Sequence, residues 1–292
     1  MSQTAFVVAL ALGAALCIAI GTVLRQRTAA GVPVDEVGVV GPITSLVREP
    51  VWWVGTLVGF AGYALQAAAL GLGSLLLVQP LLVLSLLFAL PLGARFSHRS
   101  ISSREWLWAA TLTASVAVLV VVGDPKPGVE RAEARHWALI CLVGIPVVFA
   151  CVIAGQRSSG PRKALLLGVA GGTLFGVAAV LTKGAVHLAT RGVVPLFTSP
   201  EPYALVVVAA CATTLQQSAF QAGALQASLP ATTVMEPVVA SALGFLVLGE
   251  YLAADRDVTG VLIVSVLVMV AATVALARSS AGDDATVPTA AH

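Results

Sequence analysis

Glu236 stands directly before Pro237 inside a long apolar run, about eight residues from its start and so roughly 12 Å deep at the helical rise per residue. It is the only carboxylate in the chain placed this deep in such a run. A charge there is costly unless it is paired or handles a passing ion or proton, so Glu236 is a candidate proton-coupling or cation-coordinating group. A protonated carboxyl donating to a neighbouring helix would satisfy the same constraint. Pro237, and Pro80 in an earlier run, lack an amide N–H, so the carbonyls of Thr233 and Leu76 lose their helical partners. In lipid such carbonyls must be met by protein, water or a ligand. Two helix-breaking prolines of this kind mark a midplane binding site in many membrane proteins, although both could equally kink their helices for packing.

Other polar residues sit in similar runs. Gln79 precedes Pro80, and Tyr63 and Gln66 lie one run earlier. Thr213, Thr214, Gln217, Ser218 and Gln221 share a run, with Gln217 and Gln221 one turn apart on the same side as Thr214. Such a stripe either lines a cavity or bonds another helix. The candidate substrate- or ion-binding set is therefore Glu236, Gln79, Gln66, Gln217, Gln221, Tyr63 and Thr233, with Pro80 and Pro237 as helix breaks. Lys183 and His187 lie near the end of a run, where snorkelling and the helix C-terminus account for them.

The elements that must hold these residues follow from composition. The chain has 292 residues, 58% hydrophobic and only 10% charged, with mean hydropathy +0.97. Ordinary soluble domains carry roughly 25% charge, and disordered chains are apolar-poor, so both classes are excluded. Apolar stretches of about 20 residues recur along the whole length. They predict an all-α polytopic membrane protein with nine spans, at 4–24, 51–71, 74–94, 105–122, 137–155, 164–187, 203–225, 228–249 and 258–277. The segment 31–47, with Asp35, Glu36 and two prolines, reads as an interfacial or re-entrant connection. The net charge of +2 gives no case for nucleic acid. Cys17, Cys141, Cys151 and Cys211 read as apolar packing residues rather than disulfides or metal ligands. No P-loop, HExxH, GxSxG or dinucleotide fingerprint occurs, so no enzyme activity, no resident metal and no cofactor are expected. The expected partners are the lipid bilayer and a small-molecule or ion substrate. Glycine rows at Gly13/Cys17/Gly21, Gly55/Gly59 and Gly168/Gly172/Gly176 fit close helix packing, within the chain or in a homodimer.

Lys and Arg divide ten to one side of these spans and five to the other, Lys183 apart. The positive-inside rule then places the N-terminus outside and the C-terminus in the cytoplasm, in a plasma membrane. An internal repeat is also visible. QAAALGLGSLLLVQP (66–80) parallels QAGALQASLPATTVMEP (221–237), so Gln66 matches Gln221 and Gln79-Pro80 matches Glu236-Pro237. Gly13 matches Gly171, Leu16 matches Leu174, and Arg25 matches Lys183. Spans 1–4 then correspond to spans 6–9 with span 5 between them, which enters the second unit from the opposite face as an inverted-topology repeat. The expected divisions are 1–122 for the first repeat, 123–160 for the connector, 161–277 for the second repeat and 278–292 for a disordered tail.

The stretch MEPVVASALGFLVLGE (235–250), followed by Gly260 and an apolar helix, resembles the closing motif of the EamA-type drug/metabolite transporter superfamily. Glu236-Pro237 and Gly249-Glu250 match it, while the first repeat departs from it with Gln79 and with Gly93 at the terminal acidic position. The resemblance covers both repeats. It implies a secondary-active transporter that exports or exchanges a small organic metabolite or drug, with Glu236 as coupling group. The nine-span layout, Arg25-Gln26-Arg27 and VQPLLVLS (78–85) are similar to the NIPA-type magnesium transporters, which implies a cation substrate instead. One membrane carboxylate is few for a hard divalent ion. A non-transporting scaffold subunit is the third expectation, because a fold alone does not decide a function.

Overall fold

The computed structural model describes residues 3–30, 49–96, 100–222, 225–254 and 256–284. Its helices are α1 (Gln3–Ala30), α2 (Pro50–Leu72), α3 (Leu75–Val83), α4 (Ser85–Phe96), α5 (Ser103–Val121), α6 (Ala134–Gln156), α7 (Gly160–Thr190), α8 (Val193–Thr198), α9 (Glu201–Gln221), α10 (Leu225–Val247) and α11 (Thr259–Asp284). The strands β1 (Pro125–Lys126) and β2 (Tyr251–Leu252) pair antiparallel, with Pro125 opposite Leu252 and Lys126 opposite Tyr251. With α3 and α4 counted as one span, nine helices among the described residues are long and apolar enough to cross a membrane. The chain is an all-α polytopic membrane protein. The segment 31–47 lies outside the described residues.

Contacts between connections show how the spans run. Gln3 Nε2 donates to Leu72 O, Lys183 reaches Gly73 at the α2–α3 turn, β1 after α5 meets β2 after α10, and Arg131 before α6 meets Glu201 at the start of α9. All of these lie at one end, which we call the hairpin end. At the opposite end Ser279 in α11 donates to Glu105 near the start of α5, where Ser102 and Glu105 form a capping box. The spans therefore alternate in direction, as single crossings of a bilayer require.

Small residues set the closest packing. A Cβ on Gly21 would come within 2.7 Å of Gly55 O, so α1 and α2 touch backbone to backbone. Along α7, Cβ atoms on Gly168, Gly172 and Gly176 would meet the carbonyls of Ser228, Thr232 and Glu236 at 2.8–2.9 Å. This row thus meets α10, whereas Gly171 on another face of α7 meets α9 at Ala212 and Gln216. The α1 row thus meets α2, while Gly171, the position matched to Gly13, meets α9 and the Gly168/Gly172/Gly176 row meets α10. The reason is angular: Gly168 and Gly171 are three residues apart and face different helices. The apolar core gathers around α3, eight of whose nine residues are buried, with α1, α5, α10 and α11 contributing Val7, Leu112, Ala240 and Leu276. α6 packs on α7 and leaves Leu142, Ile145 and Phe149 on the outside.

Three expectations change. Pro237 does not break its helix, since α10 runs continuously through both Pro230 and Pro237. Pro80 likewise sits inside α3, and the interruption comes at Leu84, which separates α3 from α4. A proline removes one hydrogen bond, and here the flanking ladder carries the helix past it. The cysteines are free as expected, but Cys141 and Cys211 are exposed on the outer surface rather than packed inside. α11 continues to Asp284 instead of giving way to a disordered tail at 278, and residues 285–292 lie outside the described residues.

Candidate functional site

Two carboxylates on the same stretch of chain end in different surroundings. At the end of α10, Gly249 adopts φ +64° and reverses the backbone. Glu250 N then donates to Gly244 O at 3.0 Å, which turns the Glu250 side chain back across the start of α3. There its Oε1 accepts from Leu75 N at 2.9 Å and its Oε2 from Leu76 N at 3.0 Å. These are free first-turn amides, and the helix dipole favours an anion beside them. Ser74 caps the same turn by accepting from Leu77 N at 3.1 Å. Gly244 leaves the room required, because a Cβ there would lie 2.7 Å from Glu250 Oε2.

Lys183 completes the cluster from α7. Its Nζ donates to Glu250 Oε1 at 2.7 Å and to Gly73 O at 2.9 Å, and both side chains of the pair are 0% exposed. The expectation that Lys183 snorkels towards headgroups is therefore corrected. The helix end it was read against is covered by the α2–α3 turn and the loop after α10, so the ammonium finds a carboxylate instead of water. Sequence reasoning missed the pair because its members are 67 residues apart. A lysine inside one run and an acidic residue closing another were the only signals available.

Glu236 is only partly buried and, among the described residues, makes no hydrogen bond or ion pair. Its backbone is clamped by the approach of Gly176. Tyr63 on α2 lies within electrostatic range of Glu236 on α10 and of Arg25 on α1. Arg25 Nε donates to Gly21 O at 3.2 Å, and its guanidinium lies against Gly59. Gln79 is 1% exposed on α3, and its Nε2 is a buried donor without a partner among the described residues. Gln66 is partly buried. Thr233 Oγ1 donates to Leu229 O in its own helix. Gln217 is exposed, and its neighbour Gln216 is the residue packed against α7. Thr213, Thr214 and Ser218 donate to carbonyls four residues back in α9 rather than to another helix. The side chain of Gln221 lies outside the described residues.

No family model and no solved structure matches the chain. A protein of Corynebacterium glutamicum, described as the uncharacterized protein Cgl0250/cg0304, is 41% identical over 281 residues, which span 96% of this chain and 97% of that protein. The chain belongs to the family of that protein. The likeness therefore runs over nearly the whole length of both chains.

Proposed function

We propose that the protein is a secondary-active transporter of the drug/metabolite type, exporting or exchanging a small organic solute by alternating access, with Glu236 as coupling group. The observation that carries this reading is Glu236 itself. It is a carboxyl on a membrane-spanning helix, partly accessible, without a bonded partner among the described residues, and in electrostatic range of Tyr63. A carboxyl held only for structure would be expected to sit in a satisfied network, as buried polar groups do. Gln79 adds a buried donor with nothing to bond, which a ligand acceptor would satisfy.

Two inverted repeats, α1–α5 and α7–α11, are part of the proposal. α1 packs on α2, as α7 packs on α9. α3 and α4 lie on α1, as α10 lies on α7, and α3 meets α10 while α5 meets α11. This pairing is what a two-fold axis in the membrane plane would produce. The test is flux in proteoliposomes with trapped pH and magnesium dyes, wild type beside Glu236→Gln. Proton movement on adding an organic solute, lost in the variant, supports the reading. Magnesium entry without any organic solute would replace it with a cation transporter, and equal coupled flux in both proteins would remove Glu236 from the mechanism.

A further inference from the structure

Arg25 points into the span rather than out of it. α1 begins at the hairpin end, where Gln3 meets Leu72, and α2 finishes there, so Arg25 stands towards the opposite end of its helix. Helical side chains lean towards their own N-terminus, which for Arg25 is inward. Its Cγ lies 3.2 Å from where a Cβ on Gly55 would stand. Nη2 and Cζ lie 3.7 and 3.9 Å from one on Gly59, a turn deeper along α2. Nε donates to Gly21 O at 3.2 Å and fixes the head in that pose. Glycine at both positions thus gives the side chain a track along α2. Tyr63, one turn beyond Gly59, has Arg25 and Glu236 in its electrostatic range. Tyr63 is half exposed and Glu236 is partly accessible. α2 packs on α1 and α7, while α10 packs on α7, α9, α11 and α3, so the polar tips of Tyr63 and Glu236 project from helices whose packing lies elsewhere.

We propose that Arg25 is the anion-binding group of the Glu236 site, and that the solute is a small organic anion whose carboxylate or phosphate meets the guanidinium. The inference rests on the transporter reading and adds the class of its solute. A guanidinium stays charged at every physiological pH and presents its N–H groups in a fixed fork that fits either oxyanion. A cation directed into a membrane span is costly by itself, and so is an anion crossing one. Each offsets the other when they meet. Glu236 then carries the coupling proton, so the solute's charge and the proton are handled by different residues. Lys183 takes no part, because Glu250 and Gly73 O hold it sealed at the hairpin end.

The test is thermal unfolding of the full chain in detergent with rising benzoate, phenyl phosphate or benzylammonium, the last as a cation of similar size. Benzoate or phenyl phosphate should raise the unfolding temperature saturably, and benzylammonium should not. Arg25→Gln should weaken the apparent affinity for the anion about tenfold or more. Gly59→Val should weaken it likewise, because a Cβ there meets only the Arg25 head within 4 Å, and it decides the matter if Arg25→Gln fails to fold. A rise with one anion alone names the group as carboxylate or phosphate. No saturable rise with either anion, an equal rise with benzylammonium, or undiminished affinity in a folded variant overturns the proposal. Anion binding that Arg25→Gln abolishes, in a chain that carries no flux in proteoliposomes, keeps the anion site and removes the transporter reading. Coupled flux of a cationic or neutral solute, equal in wild type and Arg25→Gln, keeps the transporter and removes the anion site.

Discussion

Glu236 and Glu250 are 14 residues apart on one chain segment, and they show what a membrane protein can do with the same side chain. Glu250 accepts from two backbone amides and an ammonium and is sealed from solvent. Glu236 has none of these bonds and is partly accessible. The first arrangement fixes a charge in place, since every lone pair that needs a donor has one. The second leaves a carboxyl free to exchange a proton or meet a ligand. A buried ion pair costs desolvation and adds little net stability when intact, yet breaking it exposes the full penalty. The contrast therefore predicts opposite sensitivities: Glu250 in stability, Glu236 in transport.

The largest effect should come from splitting the pair. Glu250→Ala leaves the Lys183 ammonium buried without its carboxylate and should cost about 3–5 kcal/mol, read as a fall in thermal unfolding temperature in detergent. Lys183→Met/Glu250→Gln should recover much of that loss, because no buried charge remains. If the double variant were no more stable than Glu250→Ala, the carboxylate would matter as a helix cap more than as an ion-pair partner. Next in size, Gly176→Val should cost about 1–3 kcal/mol by overpacking, since its Cβ would lie 2.9 Å from Glu236 O and 2.7 Å from Val239 Cβ. It displaces the segment that carries Glu236 while leaving Glu250 alone, so its flux should fall further than its stability alone explains. Smaller still, Glu236→Gln should alter unfolding by about 0.5 kcal/mol or less and abolish coupled flux. Tyr63→Phe removes one hydroxyl near Glu236 and should shift the apparent affinity for solute only a few-fold, with unfolding unchanged.

Sequence patterning revealed the array because apolar runs of span length have few other fates. The nine expected spans coincide with the observed helices to within a few residues at their ends. The Gly168/Gly172/Gly176 row was legible as a contact face for the same reason, since spacing on a helix is local information. Its partner was not legible, because the choice between α9 and α10 depends on how α7 is rotated in the assembled array. The Glu250 cluster was invisible for a related reason. It draws on Gly73, Leu75, Lys183 and Gly244, which approach each other only once the two halves have docked. The proline reading failed differently. Residue type shows which hydrogen bond is lost at Pro237, but whether the helix continues depends on packing by neighbours such as Gly172 and Gly176 on α7.

The central claim is the division of labour between the two carboxylates, and one paired measurement addresses it: thermal unfolding and proton-coupled solute flux on the same preparations of Glu236→Gln and Glu250→Gln. The account predicts a crossing pattern, with Glu236→Gln as stable as wild type but without coupled flux, and Glu250→Gln markedly destabilised with coupling retained in whatever fraction stays folded. Glu236→Gln with native coupled flux, or Glu250→Gln with native stability and no coupling, would contradict it.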